Sequence, residues 1–569
     1  MILYNKEFMD NTLYKRNDLM DYKNLAELLF PTIDKTPEDY EAMFPPRDLG
    51  EEAKITRFAP SPTGFLHIGG LFAALISERI AHQSGGKFIL RIEDTDKKRE
   101  VDDGVSKIIE GLKSFGIKID EGFVDFDTEE GAYGPYKQSQ RAEIYQCYAK
   151  SLVEKGLAYP CFCSEETLAK IREEQEAEKI LPGYHGKHAY CRDLSYEQIE
   201  ANINEGKSYV LRLKSPGSED KRINFKDGIR GKIELPENIV DVVILKSDGI
   251  PTYHFAHVVD DHLMRTTNVI RGDEWISSVP IHIQMFAMLG LKPPKYAHIA
   301  PIMKEDDGGK RKISKRKDPE AAVTWYSDEG YPVDGVIEYL LNLANYTFED
   351  FRRANKTAPW TDFKLEMNKM SNSGALFDLV KLNDICKNKI ASYTADKVYA
   401  LATEWAKQYD EELYTLLARD EAYSVAMFGF DRNPDKPRKD IGKWSEVRGA
   451  FSFMFDELFD GKYDDIANVS KEDICAILDT YADTYEEAPD NNEWFNSLKD
   501  VAEKHGFARE VKEYKQNPDA YKGHVGDVSN VIRVAVTGRT KSPDLYSIMK
   551  TLGKERVLNR ISAYKGAIA

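Results

Sequence analysis

The stretch Arg57-Phe-Ala-Pro-Ser-Pro-Thr-Gly-Phe-Leu-His-Ile-Gly-Gly70 decides how the chain is read. An extended run, Ile55 to Ala59, leads into it. Pro60 and Pro62 stiffen the backbone and Thr63-Gly64 supply a turn. His67-Ile68-Gly69-Gly70 then open a helix running from Leu71 to His82, with Leu71, Leu75 and Ile76 at apolar helical spacing. A strand that turns through glycines into a helix aims backbone N–H groups at an anion. An ordinary Pro-Gly turn has the same outline. The conjunction of two prolines, Thr-Gly, a histidine and two further glycines favours a polyphosphate site.

The surrounding pattern is that of an α/β protein. Residues 54 to about 140 alternate strand and helix, as in a parallel sheet. Lys87-Phe-Ile-Leu-Arg-Ile-Glu-Asp-Thr95 reads as the second strand, apolar until its acidic end. Ligands of such sheets sit beyond the carboxyl ends of strands, where acids such as Glu93, Asp94 and Asp96 can hold an ammonium group. Asp94 and Asp96 have a second reading, as caps of the following helix. The alternation breaks from about 141 to 240, which reads as an insertion, and resumes with the strand Ile239–Leu245. Tyr253 then offers a phenol and Arg271, at a strand end, a guanidinium able to grip a carboxylate with two bonds. A packed core tyrosine and a surface ion pair are their structural alternatives. Lys310-Arg-Lys-Ile-Ser-Lys-Arg-Lys317 places six basic residues in eight, after Gly308-Gly309, which implies a mobile loop. Such a loop either closes on a triphosphate or contacts an RNA backbone. From about 320 the pattern is helical to the end.

Composition bounds the function. The 569 residues imply roughly three to five domains. No apolar run approaches membrane-helix length, and Met1-Ile-Leu-Tyr-Asn-Lys-Glu lacks the basic-then-apolar pattern of a signal peptide. Six cysteines in so long a chain imply a reduced, cytoplasmic protein. The net charge of −17 argues against nucleic acid as a partner when taken as a sum, but binding depends on local patches. Cys161-x-Cys163 and the downstream His188 and Cys191 could supply four zinc ligands, with free thiols as the alternative.

Pro60-Ser-Pro-Thr-Gly-Phe-Leu-His-Ile-Gly-Gly70 resembles the first signature of the class I aminoacyl-tRNA synthetases in its bacterial glutamyl form, where Gly70 replaces the final His of His-x-Gly-His. Arg91-Ile-Glu-Asp-Thr-Asp96, Pro251-Thr-Tyr-His254, Ile270-Arg-Gly-Asp-Glu-Trp275 and Lys312-Ile-Ser-Lys315 are similar to further segments of that family, in the same order. His257 stands where Asn is more frequent. Tyr184-x-x-x-His188 resembles the second half of the zinc motif that some members carry, with His188 where Cys is more usual.

The resemblance implies a Rossmann-like catalytic domain in two halves, residues 54–140 and 241–325. It implies a connective insertion over 141–240 that binds the acceptor end, a stem-contact domain over 326–385, and an all-helical anticodon-binding domain over 386–569. Residues 1–53 form a helical appendage before it. The implied enzyme is a monomer that attaches L-glutamate to tRNA(Glu) through glutamyl-adenylate, using ATP with Mg²⁺ and requiring bound tRNA for the first step. His67 and Lys315 are the implied catalytic residues. Pro60, Gly64, Gly69, Gly70, Lys312 and Ser314 join them around ATP. Arg57, Ala59, Ser61, Glu93, Tyr253 and Arg271 surround glutamate, and Cys161, Cys163, His188 and Cys191 hold a structural zinc. A glutaminyl enzyme is disfavoured by the helical C-terminus, and a relative that modifies a tRNA base by the presence of a C-terminal domain. A non-discriminating enzyme that also charges tRNA(Gln), and a catalytically inactive tRNA-binding paralogue, are the remaining alternatives.

Overall fold

The computed structural model describes residues 20–96, 100–314, 316–432 and 437–568. The chain divides into two compact units. The first comprises residues up to 325 together with 337–378, the second residues 326–336 and 379–569.

The first unit opens with two helices, α1 (Tyr22–Leu29) and α2 (Pro37–Met43). α2 starts as its sequence dictates: Thr36 and Asp39 form a reciprocal capping box and Pro37 fills the first turn. The expected appendage is tightly fastened. Arg47 bonds Glu121 and the Met264 carbonyl, and Glu41 pairs with Arg265 at 2.7 Å.

The sheet begins at β1 (Ile55–Phe58), followed by α3 (Ile68–His82), β2 (Lys87–Leu90), α4 (Gly104–Ser114), β3 (Glu121–Asp125) and β4 (Thr128–Glu130). β1, β2 and β3 are parallel, with Arg57 opposite Ile89 and Ile89 opposite Glu121; β4 returns antiparallel. Parallel neighbours need a crossover, and α3 supplies it between β1 and β2. It is apolar on nearly every side, so it sinks into the core, with Leu71, Leu75 and Ile76 fully buried. β2 ends at Leu90, five residues before the expected strand does. Beyond it the chain turns, and the Asp94 carboxylate accepts the Ser139 N–H at 2.8 Å. α4 begins after Asp103 with no side-chain cap, so the capping reading of Asp94 and Asp96 is not what the structure shows.

α5 (Ala142–Glu154) leads to the insertion: β5 (Ala158–Cys161), α6 (Glu165–Glu178), α7 (Tyr196–Asn204), β6 (Val210–Leu213), the hairpin β7 (Arg222–Asp227) and β8 (Gly231–Pro236), and β9 (Val243–Leu245). β5, β6 and β9 form an antiparallel sheet. β7 alternates exposed and buried residues, as a hairpin with one covered face must.

The parallel order resumes with α8 (Tyr253–Leu263), β10 (Asn268–Gly272), α9 (Val279–Leu289) and β11 (Lys295–Ile299). β10 and β11 are parallel, with Arg271 opposite His298. The Thr267 N–H donates to the Ile55 carbonyl at 3.0 Å, which lays β10 beside β1. Strand order thus reverses at β1, between β2 on one flank and β10 on the other. In open α/β sheets that reversal leaves a crevice at the carboxyl ends of the strands. The unit continues with the hairpin β12 (Ile302–Asp306) and β13 (Gly309–Lys312).

The second unit is helical. Its core draws on residues 390–564, among them Leu417, Leu498, Val531, Ile548 and Ile561, all at most 1% exposed. Trp494 Nε1 donates to the Tyr481 hydroxyl at 2.9 Å within it. Among the described residues, no helix of either unit is long and apolar enough to cross a membrane.

Candidate active site

A cavity of about 1190 Å³ opens at the strand-order reversal. Arg57, Ala59 and Ser61 reach it from the end of β1, His67, Gly69 and Gly70 from the start of α3, and Glu93 from beyond β2. Tyr253 comes from the start of α8, Arg271 from the end of β10 and Lys312 from the end of β13. Ten expected site residues, scattered over 256 positions (Arg57 to Lys312), thus converge on one crevice. Pro60, Gly64 and Ser314 do not line it. Pro60 instead fixes the neighbouring loop, its carbonyl accepting the Glu93 N–H at 3.0 Å. Lys315 lies outside the described residues.

The floor is a buried ion network. Arg91, with no exposed surface, donates to Asp261 Oδ1 at 2.7 Å and to Glu93 Oε1 at 3.0 Å. Arg57 Nε donates to the same Asp261 at 3.2 Å. Asp260 accepts from Arg141 at 2.7 Å, Gln138 at 2.9 Å and Tyr145 at 2.8 Å. Burial opposes ionisation of Asp261, but Arg57 and Arg91 outweigh it and hold its carboxyl well below the usual range. Burial instead prevails at Glu93 and raises its pKa against the pull of Arg91 and Arg57. An ammonium group docking on Glu93 would reverse that shift. His257 lies deeper than a ligand contact requires, with Nδ1 2.9 Å from Asp261 and Nε2 3.1 Å from the Tyr296 hydroxyl. Burial drops its pKa to about 3, so the ring is neutral.

Arg271 differs from Arg57 and Arg91. It is 6% exposed, yet among the described residues no carboxylate pairs with it. Its neighbours are Tyr253, His298, His282, the Trp275 carbonyl and the face of Tyr296, 4.9 Å from ring centre to guanidinium. A buried cation lacking an acid favours an anion supplied from outside.

On the opposite side, His67 caps α3: its Nδ1 accepts the Gly69 N–H at 3.0 Å. That bond makes Nδ1 the acceptor side of the ring. The Gly69 amide is thereby taken by the histidine. A Cβ on Gly69 would come within 3.2 Å of His67 Nδ1, and one on Gly70 within 3.0 Å of Leu66. The two glycines keep this corner tight.

The basic segment is also more ordered than expected. Gly308 lies in the tip of the β12–β13 hairpin and Gly309 opens β13, paired with Asp306. Asp318 accepts two bonds from Arg311, at 2.6 and 2.8 Å, and the Ser314 N–H at 2.9 Å. Those bonds hold its carboxyl far below the usual range.

In the insertion, the sulfurs of Cys161, Cys163 and Cys191 lie within 4.8 Å of one another. The fourth member of this cluster is Tyr184, whose hydroxyl is 3.3 Å from Cys163 Sγ and accepts the Cys191 N–H at 2.9 Å. His188 does not join it. Its ring nitrogens lie 3.7 and 3.9 Å from Glu174 and Glu178 of α6, which corrects the expected ligand set.

Comparison with known proteins accords with this geometry. The family pattern for the catalytic domain of class I tRNA synthetases (E and Q) matches residues 54–384, and that of an anticodon binding domain residues 441–565. The glutamate–tRNA ligase of Clostridium perfringens (strain 13 / Type A) is 54% identical over 546 residues, covering 95% of this chain and all of that relative. That of Clostridium beijerinckii is 49% identical over 553 residues, covering 96% of this chain and all of the relative. The chain belongs to the glutamate–tRNA ligase family.

A solved family member, a glutamate tRNA ligase from Elizabethkingia meningosepticum in complex with its amino acid, superposes with a TM-score of 0.74 at 27% identity, covering 91% of this chain and all of the other. Sequence reading of this glutamate–tRNA ligase family member missed Asp260, Asp261 and Arg141 as the floor of the site, and His282 and His298 as neighbours of Arg271. Two consecutive acids directly after Val258-Val259, within a helix whose buried residues run from Phe255 to Asp261, gave one available signal.

Proposed function

We propose that the crevice activates L-glutamate with ATP and transfers it to tRNA(Glu), with the residues acting as follows. Arg271 and the outer nitrogens of Arg57 hold the carboxylates of glutamate, Glu93 its ammonium, and Ser61 and Tyr253 bound the pocket. The glutamate carboxylate attacks the α-phosphorus of ATP; the bond from that phosphorus to the α,β-bridging oxygen breaks and pyrophosphate leaves. A terminal ribose hydroxyl of tRNA then attacks the glutamyl carbonyl, and AMP departs. No protein nucleophile takes part. The site contributes position and charge. His67 and the start of α3 hold the triphosphate, and Lys312 and Lys315 neutralise the departing pyrophosphate. Mg²⁺ enters with ATP, bound mainly by phosphates and water.

Arg271 carries the reading: a cation buried at the crevice and lacking an acid partner among the described residues matches a carboxylate substrate. Three thiols and a phenol suit a tetrahedral zinc, so Cys161, Cys163, Cys191 and Tyr184 would hold one that braces the insertion without entering the chemistry. The helical second unit serves anticodon recognition. The protein acts as a monomer in a cytoplasmic, reducing setting, as six cysteines in so long a chain suggest.

The test is ATP–pyrophosphate exchange with glutamate, with and without tRNA, for the parent and Lys315→Ala. The variant is expected to lose activation by orders of magnitude while its melting temperature stays near the parent's. Near-normal aminoacylation by it would sink the assignment.

A further inference from the structure

Arg271 is flanked by a hydrogen-bonded chain of neutral groups. Its Nε donates to His298 Nε2 at 3.2 Å. Because that nitrogen accepts, the His298 proton sits on Nδ1, from which it is donated to Asp227 Oδ2 at 2.7 Å. On the other flank a second guanidinium nitrogen lies 3.3 Å from His282 Nδ1. Arginine can only donate, so His282 carries its proton on Nε2 and passes the bond to His254 Nδ1 at 3.0 Å. His282 and His298 have no exposed surface.

Both imidazoles must be uncharged to accept these bonds. An acid at either place would neutralise Arg271 and compete with an incoming carboxylate. A neutral nitrogen satisfies the guanidinium and leaves its charge for the ligand. The direction is also fixed: Arg271 and His298 face each other on paired strands, and Asp227 clamps His298 through the backbone N–H as well, at 3.1 Å. Asp227 is in turn held by the Ile229 and Arg230 amides, each at 2.9 Å. It ends β7, so the hairpin of the insertion is what anchors His298.

We propose that His298, locked by Asp227, and His282 are positioning residues that aim Arg271 at a carboxylate of the amino acid while keeping its charge unspent. The proposal rests on the reading that Arg271 holds glutamate. Burial, which keeps both rings from protonating, supports it.

Steady-state exchange kinetics on the full chain, in the presence of tRNA(Glu), test it with His298→Leu, His298→Gln, His282→Leu and Arg271→Met. Losing a hydrogen bond to a charged group predicts that H298L raises the KM for glutamate roughly ten- to a hundredfold. The KM for ATP should stay near the parent's, and kcat should fall less than the glutamate KM rises. In H298Q the amide oxygen can still accept from Arg271, so most of the loss is recovered. H282L repeats the test on the other flank should H298L not fold. An equal rise in both KM values, no recovery in H298Q, or an unchanged glutamate KM in H298L and H282L while R271M raises it would overturn the positioning role alone. An unchanged glutamate KM in R271M would overturn the reading of Arg271 and the proposal with it.

Discussion

Asp261 holds two buried arginines with one carboxylate, Arg57 at 3.2 Å and Arg91 at 2.7 Å. Replacing it by asparagine preserves shape and removes the charge that both cations need. Asp261→Asn should cost about 3–5 kcal/mol, the range for breaking a buried pair, measured by denaturant unfolding. A loss within experimental scatter of zero would mean that Glu93 and Asp260 suffice. At this scale the sequence was legible where chemistry is local. Arg57, Glu93, Tyr253 and Arg271 each lie at the end of a strand or the start of a helix, and all four line the cavity. It was not legible where function depends on a partner elsewhere in the chain, 204 residues on for Arg57 and 27 for Arg271. Nothing near Arg57 in the chain announces Asp261, and nothing near Arg271 announces that His298 stands opposite it on the next strand. The second half of the zinc motif failed for a related reason. Spacing admits both Tyr184 and His188, and only the path of the chain between them decides which side chain turns toward the sulfurs.

At the scale of elements, α3 is fixed at both ends. His67 caps its start, and His82 in its last turn joins Glu78 and Asp120, each at 2.7 Å. Those two carboxylates raise the His82 pKa to about 9 from an ordinary 6.5 despite partial burial. A raised folded-state value stabilises the fold fully below pH 6.5 and loses that contribution as pH climbs through about 9. The melting temperature of the parent should therefore fall between pH 6.5 and 9 by more than that of His82→Gln. Parallel curves for the two would contradict the linkage. The insertion offers a second element-scale outcome. Purified protein should contain stoichiometric zinc, Cys163→Ser and Cys191→Ser should lose it, and His188→Ala should retain it. Loss of zinc in H188A alone would restore the ligand set expected from the sequence. The strand–turn–helix at Ile55–His82 was readable because prolines, glycines and apolar spacing act within one turn of each other. β2 was read too long because an apolar run does not show where its neighbour stops pairing, and Gly308-Gly309 was read as a loop because two glycines do not reveal the strand that returns beside β12.

At the scale of the whole molecule, a net charge of −17 coexists with membership of a tRNA-charging family. The sum is a poor guide because acids are consumed internally: Asp260, Asp261, Asp227 and Asp318 are all buried against cations, histidines or amides. The division into an α/β body and a helical region was visible in periodicity alone. What periodicity could not give is that residues 20–53 are bolted to the α/β body by Arg47 and Glu41 rather than hanging from it. Central to the proposed function is the grip of Arg271 on a carboxylate of the amino acid, in the crevice between β1 and β10. The most direct measurement is charging of purified tRNA(Glu) with labelled glutamate by the parent and by Arg271→Met. Removing a charged, buried hydrogen-bond donor predicts a loss of about a hundredfold or more in kcat/KM for glutamate, with the fold intact. Charging by the variant within about twofold of the parent, well inside the loss expected for such a bond, would contradict it.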